Sequence, residues 1–532
     1  MKKLTLLKYS IASNGDSTMY SYVTAFWLYY LTTVSGVPPA IAGTIAAVGI
    51  AFEAISGPVF ASWSDRFEHR LGKRRPFIIF SSVPIGFFCC LMFTNLPFGG
   101  PLRIVALFCL GAAFWILFAA FFIPHLAWGA EIATGYDERT AIRTYSYVMY
   151  TVGFLVGSAL PTVAVDRLTG AGFSDASAWL CVTVILGVIS VGSILFTGLS
   201  IREPSSLRAS GAASAIKAAS GAGGVGAANA VAGAAGATGA SGASAATSAG
   251  AKSGEAAVTG ASAASGAGAM TGASGAGAAG AATGAAGAGH MSAFSLKALV
   301  HDYRQVLRLR PLRLLIFAVF AYLIGNSMIV ADRMYALTFQ MGFSGSFISL
   351  ILLVFGLLGI FLAAPMMTLA NRFDKRTALI LCMGICGFLM AAMRFFDIAG
   401  NMPLLLVLLL AYVVVSTAYW QLMPATFYDI CEVDEYENKV KRAGTITSTL
   451  PMAQAIASAA GIQLLGLRLQ LGGFESGAAT QSPAAIAAIY DCFTLLPGAL
   501  FVVGAFFMYR FPITKERFET IKQELAARRS GS

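Results

Sequence analysis

Apolar residues fall into twelve long runs separated by short polar turns. A helix rises 1.5 Å per residue, so about twenty apolar residues cross the hydrocarbon core of a bilayer. The pattern predicts spanning helices over 10–34, 40–63, 77–95, 102–127, 141–164 and 178–200. A second set is predicted over 312–339, 345–370, 377–397, 403–427, 444–468 and 487–510. Between the sets, residues 205–289 are almost wholly Ala, Gly, Ser and Thr. Such a tract has no side chains able to build a core, and its glycines oppose a stable helix. It reads as a flexible tether without chemistry of its own, or as neutral expansion. Residues 295–308 pattern as an amphipathic helix on the membrane surface. The expected organisation is a six-helix bundle over 1–204, a linker over 205–290, a surface helix and second bundle over 291–510, and a tail over 511–532. The fold class is therefore an all-α membrane protein of twelve helices in two pseudo-symmetric bundles.

Composition agrees, with 57% hydrophobic and 11% charged residues. A soluble domain carries about a quarter charged residues, so lipid is the expected solvent. The net charge of +11 would suggest nucleic acid in a soluble chain, but its placement argues otherwise. Arg66, Arg70, Lys73, Arg74 and Arg75 follow the second run, Arg139 and Arg143 the fourth, Arg372, Lys375 and Arg376 the eighth, and Lys439, Lys441 and Arg442 the tenth. Alternate turns hold little beyond Arg103, Arg167 and Arg468. The positive-inside rule then puts both termini and the central tract in the cytoplasm. The first run is too long for a cleavable signal peptide and contains Asp16. The Ala/Gly bias suggests a GC-rich bacterial genome and hence an inner-membrane location. The eight cysteines lie almost wholly in apolar runs, where they read as small buried hydrophobes. Cys382 and Cys386, four apart, lack the further ligands a metal needs.

Charges inside spans cost about 2.5–3.5 kcal/mol each on insertion scales, so each needs a reason. Glu53 lies midway along the second span and reads as a proton or cation carrier, or as an acid paired with an Arg. Asp332 and Arg333 are adjacent in the seventh, about 100° apart around the helix. Arg333 could hold an anionic or hydroxyl-rich solute while Asp332 takes part in coupling, or both could lock helices together. Asp16 in the first span is similar, and His125 beside Pro124 could shuttle protons or be a satisfied histidine. Tyr22, Phe26, Tyr29 and Tyr30 share a helical stripe that could line a cavity, although such residues more often face lipid or the interface. Gly153 and Gly157 permit close helix contact. No phosphate loop, metal spacing or nucleophile elbow is present, so the chain lacks the parts for ATP-driven pumping or an enzyme, and no cofactor is expected.

The halves echo each other. Asp65-Arg66-Phe67 after the second span matches Asn371-Arg372-Phe373 after the eighth, and Pro124 with Asp137-Glu138-Arg139 matches Pro424 with Asp434-Glu435 and Lys439. Duplicated halves place a binding site between them near mid-membrane. Four segments then carry a resemblance: Phe52-Glu53-Ala54-Ile55-Ser56-Gly57-Pro58; Asp65-Arg66 with Arg70 to Pro76; Trp420 with Asp429-Ile430, Asp434-Glu435-Tyr436, Lys441-Arg442 and Gly444; and Phe511 to Arg517 with Glu524-Leu525 and Arg528. In these the chain resembles the major facilitator superfamily, within it the glycoside–pentoside–hexuronide:cation symporters of the melibiose permease family.

The resemblance implies alternating-access symport of a sugar or glycoside with H+ or Na+. It puts the coupling cation at Glu53, with Gly57 where the family has a second acid, and sets Asp16 beside a polar cluster in span 1. One carboxyl can take up and release a proton, whereas sodium wants several oxygens, so the proton is favoured. Trp420 is placed near the sugar, joining Asp332, Arg333, Tyr22 and Phe26 as expected substrate contacts. Asp65, Gly72, Lys73, Arg74 and Arg75 would form a cytoplasmic gate with Asp429, Glu432, Asp434 and Arg442. The family's galactoside-binding residues fall on Phe122, Leu126, Tyr147 and Ala455, and a sodium-site Thr on Ala119. A non-sugar solute, such as a lysolipid or secondary metabolite, and a non-transporting sensor are the alternatives. Expected partners are the small solute and the bilayer; the chain is expected to be a monomer that binds no nucleic acid.

Overall fold

The computed structural model describes residues 3–67, 69–97, 99–132, 136–201, 305–398, 400–438 and 443–530. The 205–289 tract, residues 295–304, Arg442 and the side chain of Asp65 lie outside these described residues. The first half comprises α1 (Lys3–Tyr29), α2 (Pro39–Arg66), α3 (Arg75–Met92), α4 (Gly100–Ile132), α5 (Tyr136–Gly170) and α6 (Asp175–Ser200). The second comprises α7 (Arg310–Tyr335), α8 (Gly345–Phe373), α9 (Lys375–Phe395), α10 (Met402–Asn438), α11 (Ala443–Leu471) and α12 (Pro483–Arg510). A tail helix, α13 (Lys515–Ser530), follows.

Eleven of these helices are long and apolar enough to cross a membrane. The exception is α1, whose Ser10, Ser13, Asn14, Asp16, Ser17 and Thr18 dilute its apolar character. A helix can carry such residues inside a bilayer only where protein surrounds it. That condition is met. The Ser17 hydroxyl donates to the Tyr150 carbonyl, Thr18 to the Gly153 carbonyl at 3.2 Å, and Ser10 and Ser146 hydroxyls meet at 3.3 Å. Gly153 and Gly157 make the approach possible, since a Cβ at either would come within 2.3 Å of the Asn14 oxygen or 2.2 Å of the Thr18 oxygen.

In the first half α1 packs on α5 and α6, α2 on α4, and α3 on α4 and α6. The second half repeats the scheme: α7 packs on α11 and α12, α8 on α10, and α9 on α10 and α12. The halves meet along α1–α7, α2–α11 and α5–α8, and together form one compact unit. Short π-helical turns follow α1 (Tyr30–Val34) and α7 (Ala336–Gln340), at equivalent ends of equivalent helices. Others interrupt α9 (Cys382–Cys386) and α12 (Asp491–Leu495). Such turns widen a helix locally and recur at functional sites.

Helix ends match the apolar runs except where polar sequence continues a helix. α10 extends to Asn438, beyond the expected limit at residue 427, through the acidic stretch Asp429, Glu432, Asp434, Glu435 and Glu437. The tail helix braces that extension. Arg517 pairs with Glu437 at 3.3 Å, the Tyr436 hydroxyl donates to Glu524 at 2.5 Å, and the Lys515 amide donates to Asp374 at 3.3 Å.

Candidate binding cavity

Between the halves lies a cavity with about 140 Å³ open to the centres of water molecules. At about 30 Å³ per water, that is room for roughly five waters, the scale of a small organic solute. Its walls follow helical spacing. α7 contributes Leu323, Asn326, Ser327, Val330 and Arg333, and the π-helical turn after it Leu337. α10 contributes Leu409, Tyr412, Val413, Ser416 and Trp420, and α11 contributes Gln454, Ser458 and Ile462. The first half supplies Tyr20, Ser21, Thr24, Ile50, Phe154 and Ser158.

A hydrogen-bonded group sits behind the α7 face. Tyr322 and Tyr412 hydroxyls both donate to Asn326 Oδ1, at 3.1 and 3.0 Å, which fixes the amide and leaves its NH2 as the group it can offer. Tyr322 stacks on Tyr419 at 3.7 Å between ring centroids, and Gln454 donates to the Tyr419 hydroxyl at 3.3 Å. Trp420 packs edge-on against Tyr419.

Of the expected substrate contacts, Arg333 and Trp420 line the cavity. Asp332 does not: it is fully buried on the neighbouring face of α7, and among the described residues both its carboxylate oxygens lack a hydrogen-bond partner. Its side chain leaves α7 about 100° around from that of Arg333, on a side that does not line the cavity. Tyr22 and Phe26 are also absent from the lining, and they do not face lipid. They pack with Phe93 and Trp179 in an aromatic cluster between α1, α3 and α6, where the Tyr22 hydroxyl meets that of Thr183 at 2.6 Å. The helical stripe is real, but aromatic partners from two other helices cover it.

Glu53 and Asp16 are both buried, and each lies about one turn from a cavity residue, Ile50 and Tyr20 respectively. Glu53 Oε2 has no hydrogen-bond partner, and the two acids are near enough for their charges to interact. Sequence spacing alone does not pair these residues from α1 and α2. His125 stacks on Tyr9 at 4.5 Å and on Phe121 at 5.4 Å, packed within the first half.

The cavity is sealed at the end away from the basic turns. There Thr32 and Tyr335 hydroxyls meet at 2.7 Å across the halves, the Ala40 amide donates to Gln470 at 3.0 Å, and Ser476 donates to the Val37 carbonyl at 2.9 Å. The Ser346 amide donates to Asp166 at 2.8 Å. Glycines permit this closure: a Cβ at Gly466 would lie 2.5 Å from the Pro39 oxygen, and one at Gly43 3.2 Å from Gly466 Cα.

At the basic end, expected gating residues bond to other described residues of their own half. Gly72 has φ +112°, a conformation side chains resist. The buried Arg74 pairs with Glu131 at 2.9 Å and also donates to Ser64, while Arg75 donates to the Gly198 carbonyl at 2.9 Å. Lys73 is half-buried in the same turn. In the second half, Lys375 pairs with Asp429 at 2.7 Å, and Asn438 donates to the buried Asp434 at 2.7 Å.

Asn326, Tyr412, Ser416 and Gln454 did not stand out in the sequence. Uncharged polar residues are common in spans, and only the seven-residue spacing of Asn326 and Arg333 hinted at a shared face.

The sequence profile of the family described as MFS/sugar transport protein matches residues 8–232 and 291–515. The isoprimeverose transporter of Lactiplantibacillus pentosus is 26% identical over 183 residues, covering 34% of this chain and 38% of that one. The inner membrane symporter YicJ of Escherichia coli is 25% identical over 164 residues, covering 30% and 35%. The sodium-dependent lysophosphatidylcholine symporter 1 of Mus musculus is 30% identical over 148 residues, covering 25% and 26%. Each match thus spans well under half of the relative's length. Among solved structures, the nucleoside transporter NupG superposes with TM-score 0.60 at 13% identity, covering 97% of this chain and all of that one. The D-xylose-proton symporter gives TM-score 0.57 at 12% identity, covering 96% and 98%. The profile covers both bundles and the fold agrees along nearly the whole chain, so this chain belongs to the MFS/sugar transport protein family.

Proposed function

We propose that the chain is a secondary transporter that carries a small solute together with a cation, by alternating access between its halves. One observation carries this reading: a cavity with a few polar groups in a mostly apolar wall lies between two repeated bundles and is closed at one end by contacts across their interface. Rocking the halves would break that seal and form another at the basic end. By the positive-inside rule the basic turns and both termini lie in the cytoplasm of a bacterial inner membrane, so the sealed end is the outer one. Arg333 and Trp420 hold the solute, with Asp332, Tyr22 and Phe26 supporting the wall from behind. Glu53, with Asp16 beside it, takes up and releases the cation; a proton is preferred over sodium because Gly57 stands where the resembling family has its second acid. Asp65, Gly72, Lys73, Arg74, Arg75, Asp429, Asp434 and Arg442 form the inner gate. The isoprimeverose relative supports a sugar or glycoside. Phe122, Leu126, Tyr147 and Ala455 at the galactoside positions, and the largely apolar cavity wall, favour a non-sugar solute as the second reading.

The test is uptake by proteoliposomes from a solute panel under imposed pH or sodium gradients, for wild type and Glu53→Gln. The variant should lose gradient-driven accumulation yet keep solute exchange. Full accumulation in the variant removes Glu53 from coupling.

A further inference from the structure

The cavity wall carries a charge that nothing in the wall balances. Among the described residues that line the cavity, Arg333 is the only charged side chain. Its Nε is buried without a hydrogen-bond partner, and among the described residues no carboxylate pairs with its guanidinium. Asp332, next to it in sequence, turns away, and Glu53 and Asp16 lie outside the lining. A half-buried cation facing a confined, mostly apolar cavity without a counter-ion is only partly solvated, which is costly. An anionic ligand would complete the site.

Two further features agree. Seven residues back on the same face, Asn326 has its carbonyl occupied by two tyrosines, so its NH2 is the group left to add a neutral donor beside the guanidinium. Ser327 and Ser416 add hydroxyls to the same part of the wall. Guanidinium with neutral donors suits the two oxygens of a carboxylate or phosphate. Much of the remaining wall is apolar, including Ile351, Phe355, Val413 and Ile462. A fully hydroxylated solute would leave many of its hydroxyls facing hydrocarbon there.

We propose that the solute is an organic acid anion, a carboxylate or a phosphate monoester, with an apolar portion, its acid group seated on Arg333 and Asn326 and its apolar part against the α8, α10 and α11 walls. This rests on the transport reading only in treating the ligand as a solute. The test is binding to the purified full-length protein, read by tryptophan fluorescence because Trp420 lines the wall. The probes are matched pairs: 4-phenylbutyrate against 4-phenylbutanol, and phenethyl phosphate against phenethyl alcohol. At least one acid should bind about a hundredfold more tightly than its alcohol, the size expected when a charged hydrogen-bonding group loses its partner. The preferred pair assigns the carboxylate or the phosphate. Arg333→Gln should abolish most of the preference, and Arg333→Lys should keep part of it.

Equal or tighter binding of the alcohols, no binding of either acid at millimolar concentration, or an unchanged preference in Arg333→Gln overturns the proposal. The wild-type comparison stands even if the variant fails to fold. An acid that binds but is not moved by any gradient would leave the anion site standing and remove transport. Gradient-driven accumulation of neutral solutes, with acids inert, would do the reverse.

Discussion

Two neighbouring residues on α7 show how much one step around a helix decides. Arg333 opens onto the cavity, while Asp332 is fully buried with neither carboxylate oxygen partnered among the described residues. Tyr335, one turn further along, makes the Thr32 contact at the sealed end. A buried acid without partners opposes folding, and an apolar residue of similar size often stabilises in its place. Asp332→Leu should therefore raise the thermal midpoint in detergent by a few degrees. An unchanged or lower midpoint would mean that the carboxyl is stabilised where it stands. The sequence marked both residues, because charges inside spans are rare, but left open which one faces the cavity. It did not mark Asn326, Tyr412 or Gln454, since nothing about an isolated uncharged polar residue in a span announces a shared wall.

Among helices, glycines divide into two kinds according to what they approach. Gly153, Gly157 and Gly461 let helices of the same half touch, and a Cβ at Gly461 would come within 2.4 Å of the Ile324 oxygen. Gly43, Gly466 and Gly345 lie instead where the two halves meet, and a Cβ at Gly345 would come within 2.7 Å of the Thr162 oxygen. Bulk at the first kind should destabilise the bundle, whereas bulk at the second should prop the sealed end open. For Gly466→Val, spin labels at positions 38 and 475 should report a longer distance than in wild type. An unchanged distance would show that α2 and α11 do not set the closure. The helices themselves were readable as apolar runs, and α1 was readable despite its serines. What could not be read was the packing of those serines against α5, because it depends on small residues more than a hundred positions away.

Over the whole molecule, the repeated packing scheme explains why the chain tolerates a long tract of small residues between its halves. The contacts that join the bundles run along α1–α7, α2–α11 and α5–α8, so the halves find each other without information from the linker. A flexible chain of about 25 residues spans on the order of 25–30 Å, and lengthening it further changes the closure entropy only slowly. Cutting the 205–289 tract to about that length should leave solute uptake within twofold of wild type. A large loss would give the tract a role that its composition does not show.

The brace between the tail helix and the far end of α10 has a practical corollary. Through Arg517, Glu524 and the Lys515 amide it is fastened to the second bundle. A fluorescent protein fused behind Ser530 would travel with that bundle as a rigid passenger. Paired with a dye on the loop before α3, it would turn the relative swing of the two bundles into an energy-transfer signal, readable in intact cells without any knowledge of the cargo.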